Sequence, residues 1–296
     1  MLSTFVMGIN DSISKLFIAA GVGGIMGVSA SGSNWVSRNS GFSTDIITLA
    51  YGNGLFVAVG ASGKIATSPD GINWTQRSNP FGTNSVNGIC WGNGLFVAVG
   101  ANGTLATSPD GITWTSRTSG FGSSTISNVT YANGLYIAVG DAGKLYTSTN
   151  GTSWTKRTSS FSNSTLIQDV NYGNGLWVAV GANGGLATST NGTSNWTQRT
   201  DPFGTTTIYA VCYAAGIWVA GNDSGMIASS TNGTTWTART TPFGANAIYR
   251  IIYGNGVFVA VGAGGNVAIS VDGITWTASV LDPFGTSIVY AVTIKP

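Results

Sequence analysis

The sequence predicts an all-β fold, a single seven-bladed β-propeller of four-stranded antiparallel blades spanning residues 1–296. One unit of about 40 residues recurs along the chain, and two aromatic markers each occur seven times. The first is a tryptophan, at Trp35, Trp74, Trp114, Trp154, Trp196, Trp236 and Trp276. The second is a phenylalanine, at Phe42, Phe81, Phe121, Phe161, Phe203, Phe243 and Phe284. A repeat of this length with several short strands is typical of a propeller blade.

Each unit divides into four short strands, which we call A to D. Strand A is apolar and rich in β-branched and aromatic residues, and a Gly-Asn-Gly turn links it to strand B in most units. Asn-Gly tolerates positive φ at both central positions, as a two-residue hairpin requires. Strand B is apolar nearly throughout, so we expect both of its faces to be covered and its aromatic residues, including Trp177 and Trp218, to lie in the core. Strand C is a short Ile-Ala-Thr-Ser-like segment, and strand D begins at the marker tryptophan, where we expect Trp114 to be a buried anchor.

The two ends of the chain predict how the ring closes. Residues 289–294 align with A strands, whereas the first unit has strands B, C and D but a poor strand A. We therefore predict that the C-terminal strand lies innermost in the first blade, which leaves residues 1–11 as a surplus strand or arm. In the alternative, residues 5–9 form that inner strand and the C-terminus is surplus. Residues 16–30 resemble the apolar part of a signal peptide, but residues 16–21 align with strand B, so we expect neither a signal peptide nor a membrane-spanning helix.

Composition limits the classes of function. Charged residues make up 7% of the chain, against about 25% in ordinary soluble domains. Ser, Thr, Asn and 44 Gly supply the polarity instead, which is typical of an extracellular or virion-surface protein. The net charge of +2 comes with no basic run, which speaks against a nucleic-acid-binding protein. Cys90 and Cys212 occupy equivalent positions three blades apart, so we expect two free, buried thiols.

The turn before strand D resembles an Asp-box. Residues 68–74 read Ser-Pro-Asp-Gly-Ile-Asn-Trp, the pattern recurs at 108–114 and 270–276, and Asn replaces Asp at Asn150, Asn191 and Asn232. The Asp-box is the hairpin signature of sialidase-type propellers and of related non-enzymatic propellers, including photosystem assembly factors. Here Asp precedes Trp by one residue fewer than in the usual box, so these turns are a variant. The nearly identical repeats also resemble those of bacteriophage proteins, which implies a tail, fibre or other virion-surface component.

The chain lacks the residues of the common catalytic sites. The sialidase resemblance would imply a Tyr–Glu pair and three converging arginines, but there is no Glu and no His. A serine or cysteine triad and a His-based metal site are therefore excluded. The Asp and Asn residues of the turns are interpreted as acceptors for backbone N–H groups rather than metal ligands. We predict that the chain is not an enzyme and binds no cofactor and no metal. The arginines recur once per blade on strand D, where we expect packing against the neighbouring blade or the tryptophan, at Arg38, Arg77, Arg117, Arg157, Arg199 and Arg239.

Variation among the repeats indicates a candidate binding face. The A–B and C–D turns barely differ among copies, whereas the B–C loop and the start of strand A differ, and in a propeller these two segments share one face. At the start of strand A the variable positions are Asn84, Ser124, Gln168, Asp169, Tyr209 and Tyr249. Tyr290 belongs to the same group of tyrosines. The candidate ligand-binding residues are Lys64, Asp141, Lys144, Asp169, Tyr209, Asp223, Tyr249 and Arg250.

These features favour a non-catalytic structural or adhesion module, a bacteriophage tail, fibre or capsid-surface protein. Its expected location is a virion surface or the extracellular space, and its expected partners are other virion proteins or a host cell-surface glycan or protein. Neither nucleic-acid binding nor membrane insertion is expected. The alternative is a secreted lectin-like propeller, because aromatic rings stack on sugars and amide groups bind their hydroxyls.

Overall fold

The computed structural model describes residues 15–280 and 282–296, which form a closed ring of seven four-stranded antiparallel sheets. In the second to seventh blades the chain runs from the innermost strand A outward to strand D, as predicted. The strands of blades 2, 3 and 4 are β4 (Ile46–Gly52), β5 (Leu55–Gly60), β6 (Ile65–Ser68), β7 (Thr75–Arg77), β8 (Val86–Gly92), β9 (Leu95–Gly100), β10 (Leu105–Ser108), β11 (Thr115–Arg117), β12 (Ile126–Ala132), β13 (Leu135–Gly140), β14 (Leu145–Ser148) and β15 (Thr155–Arg157).

Blades 5, 6 and 7 repeat this order, and blade 1 combines both ends of the described chain. The strands of blades 5 to 7 are β16 (Ile167–Gly173), β17 (Leu176–Gly181), β18 (Leu186–Ser189), β19 (Thr197–Gln198), β20 (Ile208–Ala214), β21 (Ile217–Asn222), β22 (Ile227–Ser230), β23 (Thr237–Arg239), β24 (Ile248–Gly254), β25 (Val257–Gly262), β26 (Val267–Ser270) and β27 (Thr277–Ala278). Blade 1 contains, from the axis outward, β28 (Val289–Lys295), β1 (Leu16–Gly21), β2 (Met26–Ser29) and β3 (Val36–Ser37).

Short 3-10 turns form the B–C connection in five of the blades. Their bounds are Val22–Gly24, Ala61–Gly63, Ala101–Gly103, Asp141–Gly143 and Ala263–Gly265. Within the described ranges, no helix has the length and apolar character needed to cross a membrane.

The C-terminal strand closes the ring, as predicted. β28 pairs antiparallel with β1, with Leu16 opposite Lys295 and Ala20 opposite Ala291. The innermost position of blade 1 therefore belongs to β28, and the alternative that gave this position to residues 5–9 is wrong. The predicted surplus arm, residues 1–11, lies outside the described residues.

The hydrophobic core lies between neighbouring blades. Each of seven buried clusters in the described chain combines side chains of two adjacent blades. Between blades 4 and 5, for example, Ile137 and Val139 pack against Val170 and Trp177. Trp177 and Trp218 are 1% and 0% exposed, which confirms that the strand B aromatics belong to the core. All seven marker phenylalanines are buried as well.

The expectation that Trp114 is a buried anchor is wrong. Trp114 is only half-buried: its ring lies at the edge of the cluster around Phe96, with 6.4 Å between the ring centroids. Its indole Nε1 donates to the carbonyl oxygen of Gly111 at 3.1 Å. The position precedes the outermost strand, so one side of the ring faces solvent, and the phenylalanine marker is the better-buried anchor of the repeat.

Hydrogen bonds within each blade explain the repeated Asp, Asn and Arg residues. Asp70 Oδ1 accepts the backbone N–H groups of Ile72 and Asn73, each at 2.8 Å, so the carboxylate fixes the turn as interpreted from the sequence. Asn150 Oδ1 makes the equivalent bonds with its own turn at 2.9 Å. In blades 2 to 6 the repeated arginine donates through Nε to a hydroxyl on strand C, as Arg77 does to Thr67 Oγ1 at 2.8 Å. In blade 1, Arg38 Nε has no such partner among the described residues. These hydrogen bonds tie strand D to strand C of the same blade, and the predicted packing of the arginines against a neighbouring blade or tryptophan stays a prediction.

The turn aspartates should make the stability of the propeller depend on acid pH. Partial burial disfavours the ionised form of Asp70, but the N–H groups of Asn73 and Ile72 outweigh it and lower its pKa to about 2. Hydrogen bonds led by the N–H groups of Thr113 and Thr275 lower the pKa values of Asp110 and Asp272. The stability from these carboxylates is fully present above about pH 4 and is lost as the pH falls toward about 2.

Replacing the three turn aspartates by Asn tests this dependence. The triple variant Asp70→Asn, Asp110→Asn, Asp272→Asn keeps an acceptor oxygen, as Asn150 shows, but loses the charge that strengthens these bonds, so its free energy of unfolding at pH 7 should lie below the parent value. Urea denaturation from pH 2 to 7 should show a flatter acid limb in the variant. If the free energy of unfolding falls equally in both proteins between pH 7 and pH 2, groups other than the turn aspartates cause the pH dependence.

Candidate functional site

A β-bulge near the start of each strand A leaves one residue out of the ladder. In blade 2, Ile46 and Thr48 pair with the consecutive residues Gly60 and Val59, so Ile47 between them has no partner on β5. The same shift occurs in every blade, including the β28–β1 pair. Bulges of this kind redirect a side chain away from the regular sheet pattern. The seven bulge residues are Ile47, Asn87, Ser127, Gln168, Tyr209, Tyr249 and Tyr290.

All seven bulge residues line one cavity of about 400 Å³ around the propeller axis, which we call the central opening. It lies on the face that carries the D–A and B–C connections. Tyr209, Tyr249 and Tyr290 come from the consecutive blades 6, 7 and 1, and we call them the tyrosine crescent. Blades 3, 4 and 5 contribute a polar wall across the opening. This wall consists of Asn87, Ser127 and Gln168.

The tyrosine crescent is a continuous aromatic surface. The ring centroids of Tyr209 and Tyr249 lie 5.1 Å apart, and those of Tyr249 and Tyr290 lie 5.3 Å apart. All three side chains are half-buried. Burial raises the pKa of each hydroxyl, helped at Tyr249 by the negative charge of Asp223. The hydroxyls therefore remain protonated hydrogen-bond donors at neutral pH.

A buried carboxylate lies below the opening. Asp169 is 4% exposed and faces the channel that continues along the axis. Its Oδ1 accepts Asn128 Nδ2 at 2.5 Å and the backbone N–H of Val170 at 2.8 Å, and its Oδ2 accepts the backbone N–H of Val211 at 3.1 Å. Burial raises the pKa of Asp169, while the positive charge of Arg250 opposes this shift.

Arg250 lies between the opening and the channel and contributes to the lining of both. Its Nη1 is 3.7 Å from Asp169 Oδ1, and its Nη2 donates to Thr48 Oγ1 at 3.4 Å. Its side chain remains 21% exposed. The guanidinium of blade 7 thus reaches blades 5 and 2 and forms the base of the opening.

The structure brings five of the eight predicted site residues together at the axis. Four of them line the central opening, and Asp169 lies directly beneath it. Asp141 Oδ2 accepts the backbone N–H of Thr125 at 2.9 Å, which fixes its carboxylate on the rim. Whether these residues bind a ligand stays a prediction. The four lining residues are Asp141, Tyr209, Tyr249 and Arg250.

Three predicted residues lie outside the opening. Lys144 Nζ donates to the carbonyl oxygen of Phe121 and to Ser124 Oγ, so its charge is directed toward a loop. Asp223 Oδ2 accepts the backbone N–H of Thr207 at 3.1 Å beside the crescent. Lys64 is exposed on the B–C connection of blade 2.

Alignment of the repeats with one another placed the variable position of strand A three residues too early in blades 3 and 4. Asn84 and Ser124 belong to turns in which their N–H groups bond to the carbonyl oxygens of Phe81 and Phe121. The equivalents of Tyr209 in these blades are Asn87 and Ser127, which the prediction missed together with Asn128. Counting from the buried first residue of each A strand, Val86 or Ile126 for example, would have found the whole set.

The described residues show neither a cluster of metal ligands nor an activated thiol. In the described part of the chain, no three His, Cys, Asp or Glu side chains group together as metal ligands would. Cys90 and Cys212 are free, as predicted, although Cys90 is only partly buried. Burial raises the pKa of both thiols, to about 12 for Cys212, so neither is a nucleophilic thiolate at neutral pH.

Comparison with protein families supports a propeller family. The family described as DUF6242 beta propeller domain matches residues 89–219. A search of curated proteins gives no match.

Solved structures share the fold at low sequence identity. YCF48 from Cyanidioschyzon merolae is 18% identical with a TM-score of 0.61, and the match covers 82% of this chain and 86% of that one. YCF48 bound to D1 peptide is 16% identical with a TM-score of 0.63, covering 79% and 82%. A chain of a nidogen–laminin complex is 10% identical with a TM-score of 0.59, covering 82% and 98%. These similarities establish the β-propeller fold.

Proposed function

We propose that this chain is a non-catalytic attachment module that holds a partner at the central opening. The observation that carries the proposal is the tyrosine crescent, three half-buried aromatic rings on consecutive blades opposite a polar wall. Half-buried tyrosines supply contact area at a low cost in conformational entropy, which is why they are enriched at binding surfaces. The repeats hold the rest of the fold nearly constant and vary at this face.

The proposed location is a virion surface or the extracellular space, with a virion protein or a host-surface molecule as partner. The composition supports this assignment, because 7% charged residues with abundant Ser, Thr, Asn and Gly suits a surface exposed outside the cell. The resemblance of the repeats to bacteriophage proteins points the same way. Two proteins of similar fold are described in complexes, one with D1 peptide and one as nidogen with laminin.

A lectin-like function is the second candidate, and the chemistry of the opening favours it. Sugar recognition uses aromatic rings against the apolar faces of pyranoses and amide groups for their hydroxyls. The tyrosine crescent supplies the rings, and Asn87 and Gln168 supply the amides. A glycan on a host surface would satisfy both candidates.

Replacing Tyr249 by Ala, in the middle of the crescent, should weaken partner binding at least about tenfold, because it removes the ring that contacts both of its neighbours. The measurement is binding of labelled protein to a glycan array and to an array of immobilised peptides, followed by titration of the strongest hit. The matched control is Ile112→Ala, since Ile112 is 42% exposed on a C–D turn of the opposite face. Equal losses from both substitutions would remove the opening as the binding site.

A further inference from the structure

Arg250 has more hydrogen-bond donors than partners. A guanidinium carries five N–H groups. Among the described residues, Arg250 makes one long hydrogen bond, to Thr48 Oγ1 at 3.4 Å, and its 3.7 Å approach to Asp169 exceeds hydrogen-bond distance. Its side chain is 21% exposed at the base of the central opening. The remaining donors are therefore available to a ligand in the opening.

Asp169 accepts no hydrogen bond from Arg250, and its two oxygens accept hydrogen bonds from three other donors instead. Asn128 Nδ2 and the N–H groups of Val170 and Val211 donate to its two oxygens. Asp169 faces the channel only, whereas Arg250 faces both the channel and the opening. The guanidinium thus separates the buried carboxylate below from the opening above, and its upper side suits a second anion.

The acidic groups around the rim favour an anionic ligand whose negative charge is confined to one group. Asp141 lines the opening, and Asp223 and Asp45 lie close enough to the crescent to raise the pKa values of its tyrosines. Each of these carboxylates is held by a loop N–H group, so all three stay in place. They would repel a ligand with charges spread over its periphery. A single carboxylate placed over Arg250 avoids this repulsion, and hydroxyl groups around it would face the acidic rim favourably.

We propose that the central opening binds an acidic sugar of the hexuronate class, with its carboxylate on Arg250 and its ring against the tyrosine crescent. The inference rests on the proposed attachment function and specifies the glycan in it. A uronate combines one carboxylate with several hydroxyls, which matches one guanidinium surrounded by Asn87, Gln168 and the fixed carboxylate of Asp141. An acidic peptide supplies the charge but lacks the hydroxyls for this rim.

The test compares sugars that differ only in the carboxylate. Methyl glucuronide and methyl galacturonide are titrated against the matching methyl glucoside and methyl galactoside, with binding followed by NMR and calorimetry. At least one uronide should bind about tenfold or more tightly than its neutral analogue, as a charge-assisted pair predicts. Arg250→Met should abolish this preference, so that the uronide and its neutral analogue bind with similar affinity. Tyr249→Ala should weaken the binding of both the uronide and its neutral analogue.

Two further measurements keep the outcomes distinct. Arg250→Lys retains the charge without the planar fork, so it should keep a reduced preference for the uronide, and the melting curves of both Arg250 variants report whether they fold. A blocked Gly-Glu-Gly peptide tests the peptide source of a carboxylate. Equal binding of uronide and neutral sugar, or binding of the peptide alone, would overturn the acidic-sugar inference while the attachment function stands. If an array partner binds both the Tyr249→Ala and the Arg250→Met variants as tightly as the parent protein, the central opening is not the attachment site.

Discussion

Removal of the C-terminal strand should lower the melting temperature by about 10 °C or more, or prevent folding. β28 is the innermost strand of blade 1, and deleting residues 289–296 exposes the paired edge of β1. Val289 and Val292 are 0% and 4% exposed, so their burial alone contributes about 3–6 kcal/mol. In chains of this size each kcal/mol corresponds to roughly 2–4 °C. Differential scanning calorimetry of the full and truncated chains measures the difference.

A peptide added in trans separates loss of this strand from a general effect of truncation. A synthetic peptide of residues 287–296 should raise the melting temperature of the truncated chain in a concentration-dependent manner, because it can pair with β1 as the strand of the intact chain does. The same peptide with Val289→Asp and Val292→Asp is the control and should not stabilise. A truncated chain that melts like the full chain would show that β28 does not hold the ring closed.

Periodicity made the fold predictable, because each blade repeats the same physical solution. The phenylalanine marker is buried in every blade, and the Asn-Gly turns have positive φ at both positions, as at Asn53 and Gly54. The position of β28 followed from the same repetition. Residues 289–294 match strand A, and the first unit was the one unit without a clear strand A of its own. The burial of Trp114 was harder to predict. Its regular spacing marks a structural position, but it does not reveal how much of the ring is exposed beside the outermost strand.

The site was only partly predictable, because it depends on contacts among blades that are distant in sequence. Variation among the repeats selected Tyr209 and Tyr249, and Arg250 was selected because it lies outside the strand D arginine pattern. All three line the central opening, although their role in binding stays a prediction. The sequence could not show that Arg250 reaches Asp169 and Thr48, which lie two blades away on opposite sides. The bulge that redirects the second residue of strand A also leaves no local mark, so Asn87 and Ser127 were overlooked in favour of nearby turn residues.

Replacing Asp169 by Leu should lower the free energy of unfolding by about 3–5 kcal/mol, because each buried donor left without an acceptor costs about 1–3 kcal/mol. The substitution leaves Asn128 Nδ2 and the N–H groups of Val170 and Val211 without their acceptor in the channel wall. It also removes the countercharge of Arg250. Arg250→Met should cost less than half as much, because Asp169 keeps three neutral donors. Urea denaturation of both single variants and the double variant gives these values and their coupling.

Asp169 and the turn aspartates should affect the pH dependence of stability in opposite directions, because the pKa of Asp169 is raised and those of the turn aspartates are lowered. Burial raises the pKa of Asp169 above its ordinary value near 3.8, so the folded state binds the proton more tightly than the unfolded state. The stability associated with that proton is present below about pH 4 and declines as the pH rises through the raised pKa. Asp169→Asn should remove this decline, whereas the turn substitutions should flatten the loss at lower pH. An Asp169→Asn protein with the same slope above pH 4 as the parent would mean that the three N–H donors and Arg250 fully offset the burial of the carboxylate.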